Sequence, residues 1–273
     1  MHEELVGVAE HMKGLGLAAL AHALQHTLFA DVTSNPYIND LAVLQSAHAA
    51  EILIKARIAE QHPLLIFKDI PKSTQVSGDK LNLNALLESG KTLQYNELPE
   101  ILWATTGYKI KNNNQYQKFG KLRNAIQHFT SPQDRDLMQE TLEFVFGVID
   151  PIIYDFWKLY AIDYFEQADA HNHIFIVLLK ANISFLIPQA YKEVVEKDRM
   201  FLKNIIQGVS ILKGLIANSQ SLECLDKATA INKIRDKCRI IDSSEEDIYW
   251  ESYNMLLLKD ETYSKWRTNL LQE

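Results

Sequence analysis

Between Leu41 and Ala59 almost every residue is apolar or alanine, and the polar residues His48, Glu51 and Lys55 fall at i, i+3 and i+7 on one narrow stripe. At 3.6 residues per turn such a segment is a helix with apolar surface on nearly every side, which stays in water only when it is buried among other elements. The stripe has two readings. It faces a polar site, because an unpaired buried charge is expensive, or it is an ordinary exposed face carrying a Glu–Lys i,i+4 pair. Arg57 points away from it.

The remainder of the chain follows the same helical pattern. With 273 residues, 47% of them hydrophobic, it can bury a large core as one domain or as one domain with a helical extension. Leu, Ala, Ile, Glu, Lys and Gln dominate, and only 10 Gly and 7 Pro interrupt them, which favours helix over sheet. The periodicity predicts helices over 3–30 and about 37–61, the second closed by Pro63. The stretch LLIFKDIPKSTQVSGD reads as an extended connection, followed by short helices at 81–89 and 97–106. A strong helix runs through NNNQYQKFGKLRNAIQHFT, capped by one of Asn112–Asn114 and stopped before Ser131-Pro132. Two more fill 133–167, with Pro151 near the start of the second. At least three occupy 172–273, the acidic DSSEED at 242–247 setting off the last. The polar QADAHNH, with His171-Asn172-His173 as loop, marks a boundary. The expected organisation is an N-terminal helix over 1–34, a core over 35–167 and a C-terminal helical extension over 168–273.

A net charge of −7 argues against a surface coated for nonspecific DNA binding, so any nucleic-acid role rests on a local patch. Cys224 and Cys238 fit two free thiols in a reducing compartment better than a disulfide framework. The acidic, His-bearing start MHEELVGVAEHMKG is wrong for a leader peptide. The apolar run at 174–188 carries Lys180 and Asn182 and is too short for a bilayer, so it reads as a buried helix. The expected address is the cytoplasm, with no membrane contact.

Chance alone places an Arg and a His four to six residues apart in a chain of this size, and two such pairs occur, Arg57…His62 and Arg123…His128. His62 precedes Pro63 at the frayed end of its helix, whereas His128 is expected within one. Asn124 and His128 are one turn apart and share a face. Arg123 and His128, five residues apart, diverge by about 140° on a helix. One helix therefore cannot aim both at one point, but two copies packed side by side can. No acidic residue lies between Glu100 and Asp134, while Lys109, Lys111, Lys118, Lys121 and Arg123 are basic. Trp103, Tyr108, Tyr116 and Phe119 interleave with them. Phosphate attraction with base stacking suits single-stranded RNA, with Lys111, Lys118, Lys121 and Tyr116 as the contacts. The alternative is a solvated basic face opposite a core stripe of Phe119, Leu122, Ile126 and Phe129.

The segment RNAIQH at 123–128 resembles the R-N-x-x-x-H form of the motif of HEPN-domain ribonucleases. HAAEILIKARIAEQ at 48–61, with Glu51 four residues before Lys55, is similar to the helix that those domains place beside the motif. The order of helices also matches, over roughly residues 37–165. The resemblance implies an all-α, HEPN-like helical bundle with additional helices at both ends, acting as a homodimer on RNA. It implies Arg123, Asn124 and His128 as catalytic residues and His48, Glu51 and Lys55 as their support. His128 of one protomer would take the 2′-hydroxyl proton and His128 of the other would protonate the 5′-oxygen. Arg123 would hold the nonbridging oxygens and Asn124 would orient His128 or the phosphate. The product is a 2′,3′-cyclic phosphate, and no metal or cofactor is needed. The family's usual settings are toxin–antitoxin systems and phage defence, with an antitoxin or other regulatory protein as a further partner. The competing reading is a noncatalytic module of the same fold that binds RNA, nucleotide or protein. One departure stands out: toxins of this kind that are silenced by adenylylation carry Tyr two residues after the motif His, where this chain has Thr130.

Other sites fall away. Gly90-Lys91-Thr92 resembles the end of a P-loop, but Ala85 stands where the first glycine is required. His22 and His26 sit one turn apart without a third ligand at metal spacing, so they read as a helix-surface pair.

Overall fold

The computed structural model describes residues 5–29, 35–72, 81–164, 171–219, 225–240 and 243–257. Cys224, residues 73–80 of the extended connection and residues 165–170 of the boundary stretch lie outside them. The protein is all-α apart from one two-stranded clip, and the chain divides into two compact units, residues 1–168 and 169–273.

In the first unit, α1 (Val8–Leu28) lies along α2 (Ile38–Ala59). The contact is close because Gly16 carries no side chain where a Cβ would stand 2.7 Å from Leu53 Cγ. Alanines 42, 47, 49, 50, 56 and 59 are likewise buried along α2, and small side chains let neighbouring backbones approach. Helix α2 is the centre of the unit, touching α1, α4, α5 and α6. The helix expected at the N-terminus is thus part of the same packed body as the core.

After α2, His62 caps a 3-10 turn (Pro63–Ile66), its Nδ1 accepting from Leu64 N–H at 3.2 Å. Strand β1 (Phe67–Asp69) follows and pairs antiparallel with β2 (Lys91–Thr92), Phe67 opposite Thr92. Between the strands runs α3 (Leu83–Ser89), capped by Asn82 Oδ1 on the Ala85 N–H at 2.9 Å. The segment GKT therefore follows a helix and forms a strand, the reverse of a phosphate loop. A second 3-10 turn (Tyr95–Glu97) leads into α4 (Leu98–Thr106). That helix ends at Gly107, φ 75°, the left-handed position that glycine takes without steric cost.

Helix α5 (Asn113–His128) is the motif helix. It is followed by α6 (Leu137–Phe144), which runs through a π turn (Val145–Ile149) into α7 (Asp150–Trp157). Pro151 explains the irregularity. It has no N–H for the Gly147 carbonyl four residues back, and that carbonyl instead accepts from Asn112 Nδ2 at 2.8 Å. Asn112 therefore sits at the N-cap of α5 without capping it, contrary to the sequence expectation, because its side chain is used to pin α5 to the π turn. Beyond α7, buried Asp150 accepts from the Ala161 N–H at 2.8 Å and holds the following segment back on the unit.

The second unit contains α8 (His171–Lys180), α9 (Lys192–Ser219), α10 (Lys227–Lys237) and α11 (Glu245–Leu257). His171, expected in a loop, opens α8, because the apolar run behind it extends helical periodicity to that point. Of the run at 174–188, only residues up to Lys180 are helical. The core joins Leu202, Ile205, Ile206 and Val209 of α9 to Leu179, and Leu212 to Ala230, Ile234, Ile248 and Tyr249. Cys238 is a buried free thiol in that second cluster, and burial pushes its pKa up. By length and composition α9 is apolar enough to cross a membrane, with an 18-residue window of mean hydropathy 1.3.

Candidate nucleic-acid interface

The site grows from the way α5 is anchored. Tyr116, Phe119, Gly120 and Leu122 form its buried side. The Phe119 ring stacks on Phe144, centroids 3.8 Å apart and 3° from parallel. Tyr116 stacks on Tyr95 at 4.2 Å, and the two residues bond reciprocally. The Tyr116 hydroxyl donates to the Tyr95 carbonyl at 2.8 Å, and the Tyr95 hydroxyl donates to the Tyr116 carbonyl at 3.3 Å. Burial pushes both phenols well above their ordinary pKa, so they remain donors. Gly120 completes the joint, since a Cβ there would stand 2.5 Å from Tyr95 Cε1. Stacked aromatic pairs add about 0.5–1.5 kcal/mol beyond the area they bury.

Two sequence expectations fail here. Tyr116, expected to stack on RNA bases, has no exposed surface, because Tyr95 comes up from the preceding 3-10 turn to cover it. Phe129, expected in the core stripe, is 91% exposed, because α5 ends at His128 and the chain leaves the helical path at φ −144°, ψ −80°. The helix therefore buries one side of its first three turns and leaves its end exposed.

The stripe on α2 reaches this joint from the other side. Lys55 Nζ binds Glu51 Oε1 at 2.7 Å and donates to Thr92 Oγ1 of β2 at 3.4 Å. Lys55 is buried, Glu51 half-buried and His48 exposed. The pair is thus no ordinary surface pair: the β1–β2 clip covers its lysine end. Its glutamate end borders an open groove of about 710 Å³, lined by residues 92–96 of the clip and following turn and by Gln117, Gly120, Lys121, Arg123 and Asn124 of α5.

The groove brings together Glu51, Lys121, Arg123 and Asn124 from the sequence-based set. Arg123 Nη1 donates to Asn124 Oδ1 at 2.9 Å. Asn124 thus partners Arg123, not His128 as the shared helix face suggested. Among the described residues, no carboxylate lies in ion-pair range of Arg123 or Lys121.

The other expected contacts go elsewhere. His128 is helical, as expected, but is the exposed last residue of α5 and lies outside the groove lining. Among the described residues it has no hydrogen-bond partner. Lys111 and Lys118 line a second groove, of about 680 Å³, at the start of α5, together with Arg135, Glu140 and Glu143. Lys111 is tied to Asp155 at 3.0 Å, so that cation is already paired. Arg135 is paired with Glu140. The basic window of the sequence is therefore divided: Lys111 and Lys118 line one groove, and Lys121 and Arg123 line the other.

Sequence reasoning missed the carboxamides. Gln117 lies four residues before Lys121 and seven before Asn124, a spacing that puts all three on one face of α5. Nothing in the sequence signals Gln94 or Asn96, which arrive on the turn that presents Tyr95. Elsewhere, the His22 and His26 rings meet edge to face at 5.7 Å, and no group of three or more His, Cys, Asp or Glu able to hold a metal ion occurs among the described residues. No family model matches the chain, and neither does any curated protein or solved structure.

Proposed function

We propose that the protein is a metal-independent endoribonuclease of the HEPN kind, acting as a homodimer. The single observation that supports this best is the division of polar groups on α5. Arg123 lines a groove and, among the described residues, has no carboxylate partner, while the exposed His128 at the end of the same helix has no hydrogen-bond partner among them.

A phosphodiester in the groove meets the Arg123 guanidinium, whose paired N–H groups match two nonbridging oxygens. Lys121 adds charge beside it. The neighbouring 2′-oxygen attacks phosphorus as the bond to the 5′-oxygen breaks. His128 of one protomer accepts the 2′-hydroxyl proton, and the partner's His128 protonates the departing 5′-oxygen. The products carry a 2′,3′-cyclic phosphate and a 5′-hydroxyl. Charge growing on the phosphoryl oxygens is held by Arg123, the kind of contact whose loss costs on the order of a hundredfold in rate. A role in toxin–antitoxin control or phage defence, with a regulatory protein as partner, goes with this reading.

A second reading has its own observation. His128 lies outside the groove that Arg123 lines, so one chain alone presents a phosphate site without an imidazole. A noncatalytic module that binds RNA, nucleotide or protein fits that arrangement. Labelled RNA incubated with purified protein in EDTA separates the two. Cleavage to cyclic-phosphate ends that disappears in His128→Ala is the expected result, and binding without cleavage supports the module.

A further inference from the structure

The groove's remaining wall is built for hydrogen bonding, not for stacking. Its aromatic residue, Tyr95, is 9% exposed, with one ring face on Tyr116 and its edge against Gly120. At 9% exposure it leaves little ring surface there for a base. What lines the groove instead is the carboxylate of Glu51 and the carboxamides of Asn96 and Gln117, which have no hydrogen-bond partner among the described residues. Lys55 occupies Glu51 Oε1 and offsets its charge, so the carboxylate does not repel a phosphate held at Arg123. Glu51 Oε2 has no partner among the described residues. At about 710 Å³ the groove has room for a nucleotide.

We infer that this groove selects unpaired nucleotides whose base carries an exocyclic amino group, with Glu51 as the discriminating acceptor; the inference rests on the RNA-binding reading above. A carboxylate only accepts hydrogen bonds. Cytosine offers it the N4 amino group, and adenine offers N6. Uracil places carbonyl oxygens on both sides of its single N–H, and these repel the carboxylate. Carboxamides donate and accept, so Asn96 and Gln117 hold any base edge without choosing. The contrast between cytosine and uracil is the sharpest one, because the two rings have the same size and stack alike.

The test is fluorescence anisotropy of the full-length His128→Ala protein, which binds without cutting, with 5′-labelled ribo-octamers of C, A or U. The expected result is binding of the C and A octamers at least about tenfold tighter than the U octamer, the scale of one well-made base contact. Glu51→Gln removes the preference by presenting a donor to the uracil carbonyl. Since that change leaves Lys55 unpaired, Glu51→Gln with Lys55→Met is measured beside it and loses the preference too. Equal binding of all three octamers by the Glu51 protein overturns the inference and leaves the RNA reading standing. A preference that survives in the double variant overturns the role of Glu51. Failure of every octamer to bind overturns the RNA reading itself.

Discussion

The two ends of α5 are built on opposite principles. Its first three turns are held by stacked rings, reciprocal tyrosine hydrogen bonds and a glycine on which a neighbouring ring rests. Its last residue, His128, and Phe129 just beyond it are exposed. The anchored end presents Arg123, Lys121 and the α2 pair at fixed positions, as an anion site requires when it must not reorganise on binding. The free end carries His128, the group to which the proposed reaction assigns proton transfer. In the homodimer proposed above, a neighbouring α5 brings His128 beside the first chain's groove.

The contrast predicts unequal stability costs along one helix. Tyr116→Ala or Phe119→Ala removes a buried ring and destabilises the fold by about 3–5 kcal/mol in denaturant titration. Phe129→Ala changes monomer stability by less than about 0.5 kcal/mol. Comparable losses at Phe119 and Phe129 erase the distinction between the ends. Lys55→Ala comes next. It strands Glu51 in a half-buried place and costs about 3 kcal/mol, the low end for a broken buried pair. Glu51→Gln with Lys55→Met restores most of that loss, and if it does not, the pair is more than local charge compensation. The smallest effect separates two lysines. Lys121→Glu weakens RNA binding and flattens its salt dependence, whereas Lys118→Glu, in the other groove beside Glu140 and Glu143, does so far less. Equal effects mean that RNA runs across both grooves.

How much of this was legible in the sequence follows from which interactions are local. Helical periodicity is local, so α1, α2, α4 and α5 stand within a few residues of their expected positions. Pro151 announces a helix start, yet it sits at the first turn of α7 in a path continuous with α6, because the π turn absorbs the missing donor. Tyr116 and Phe129 were assigned to opposite fates from those they have. An aromatic in a polar helix is buried only if something distant covers it, and Tyr95 lies 21 residues away. The Glu51–Lys55 stripe had two readings at the sequence level. The β1–β2 clip and Thr92 decide it, and strand pairing over that distance leaves no periodic trace. Asn124 turning to Arg123 is a matter of rotamer, invisible to spacing.

The central claim is that one chain supplies the phosphate-holding half of the site and a second chain the other proton-transfer group. The direct measurement uses wild-type and His128→Ala chains co-expressed under two affinity tags, with heterodimers purified through both and assayed on labelled RNA in EDTA. The account predicts heterodimer activity far below half that of the wild-type dimer, because each composite site lacks one imidazole. Heterodimers that retain half of the wild-type rate, or a wild-type protein that cuts at full rate as a monomer, contradict it.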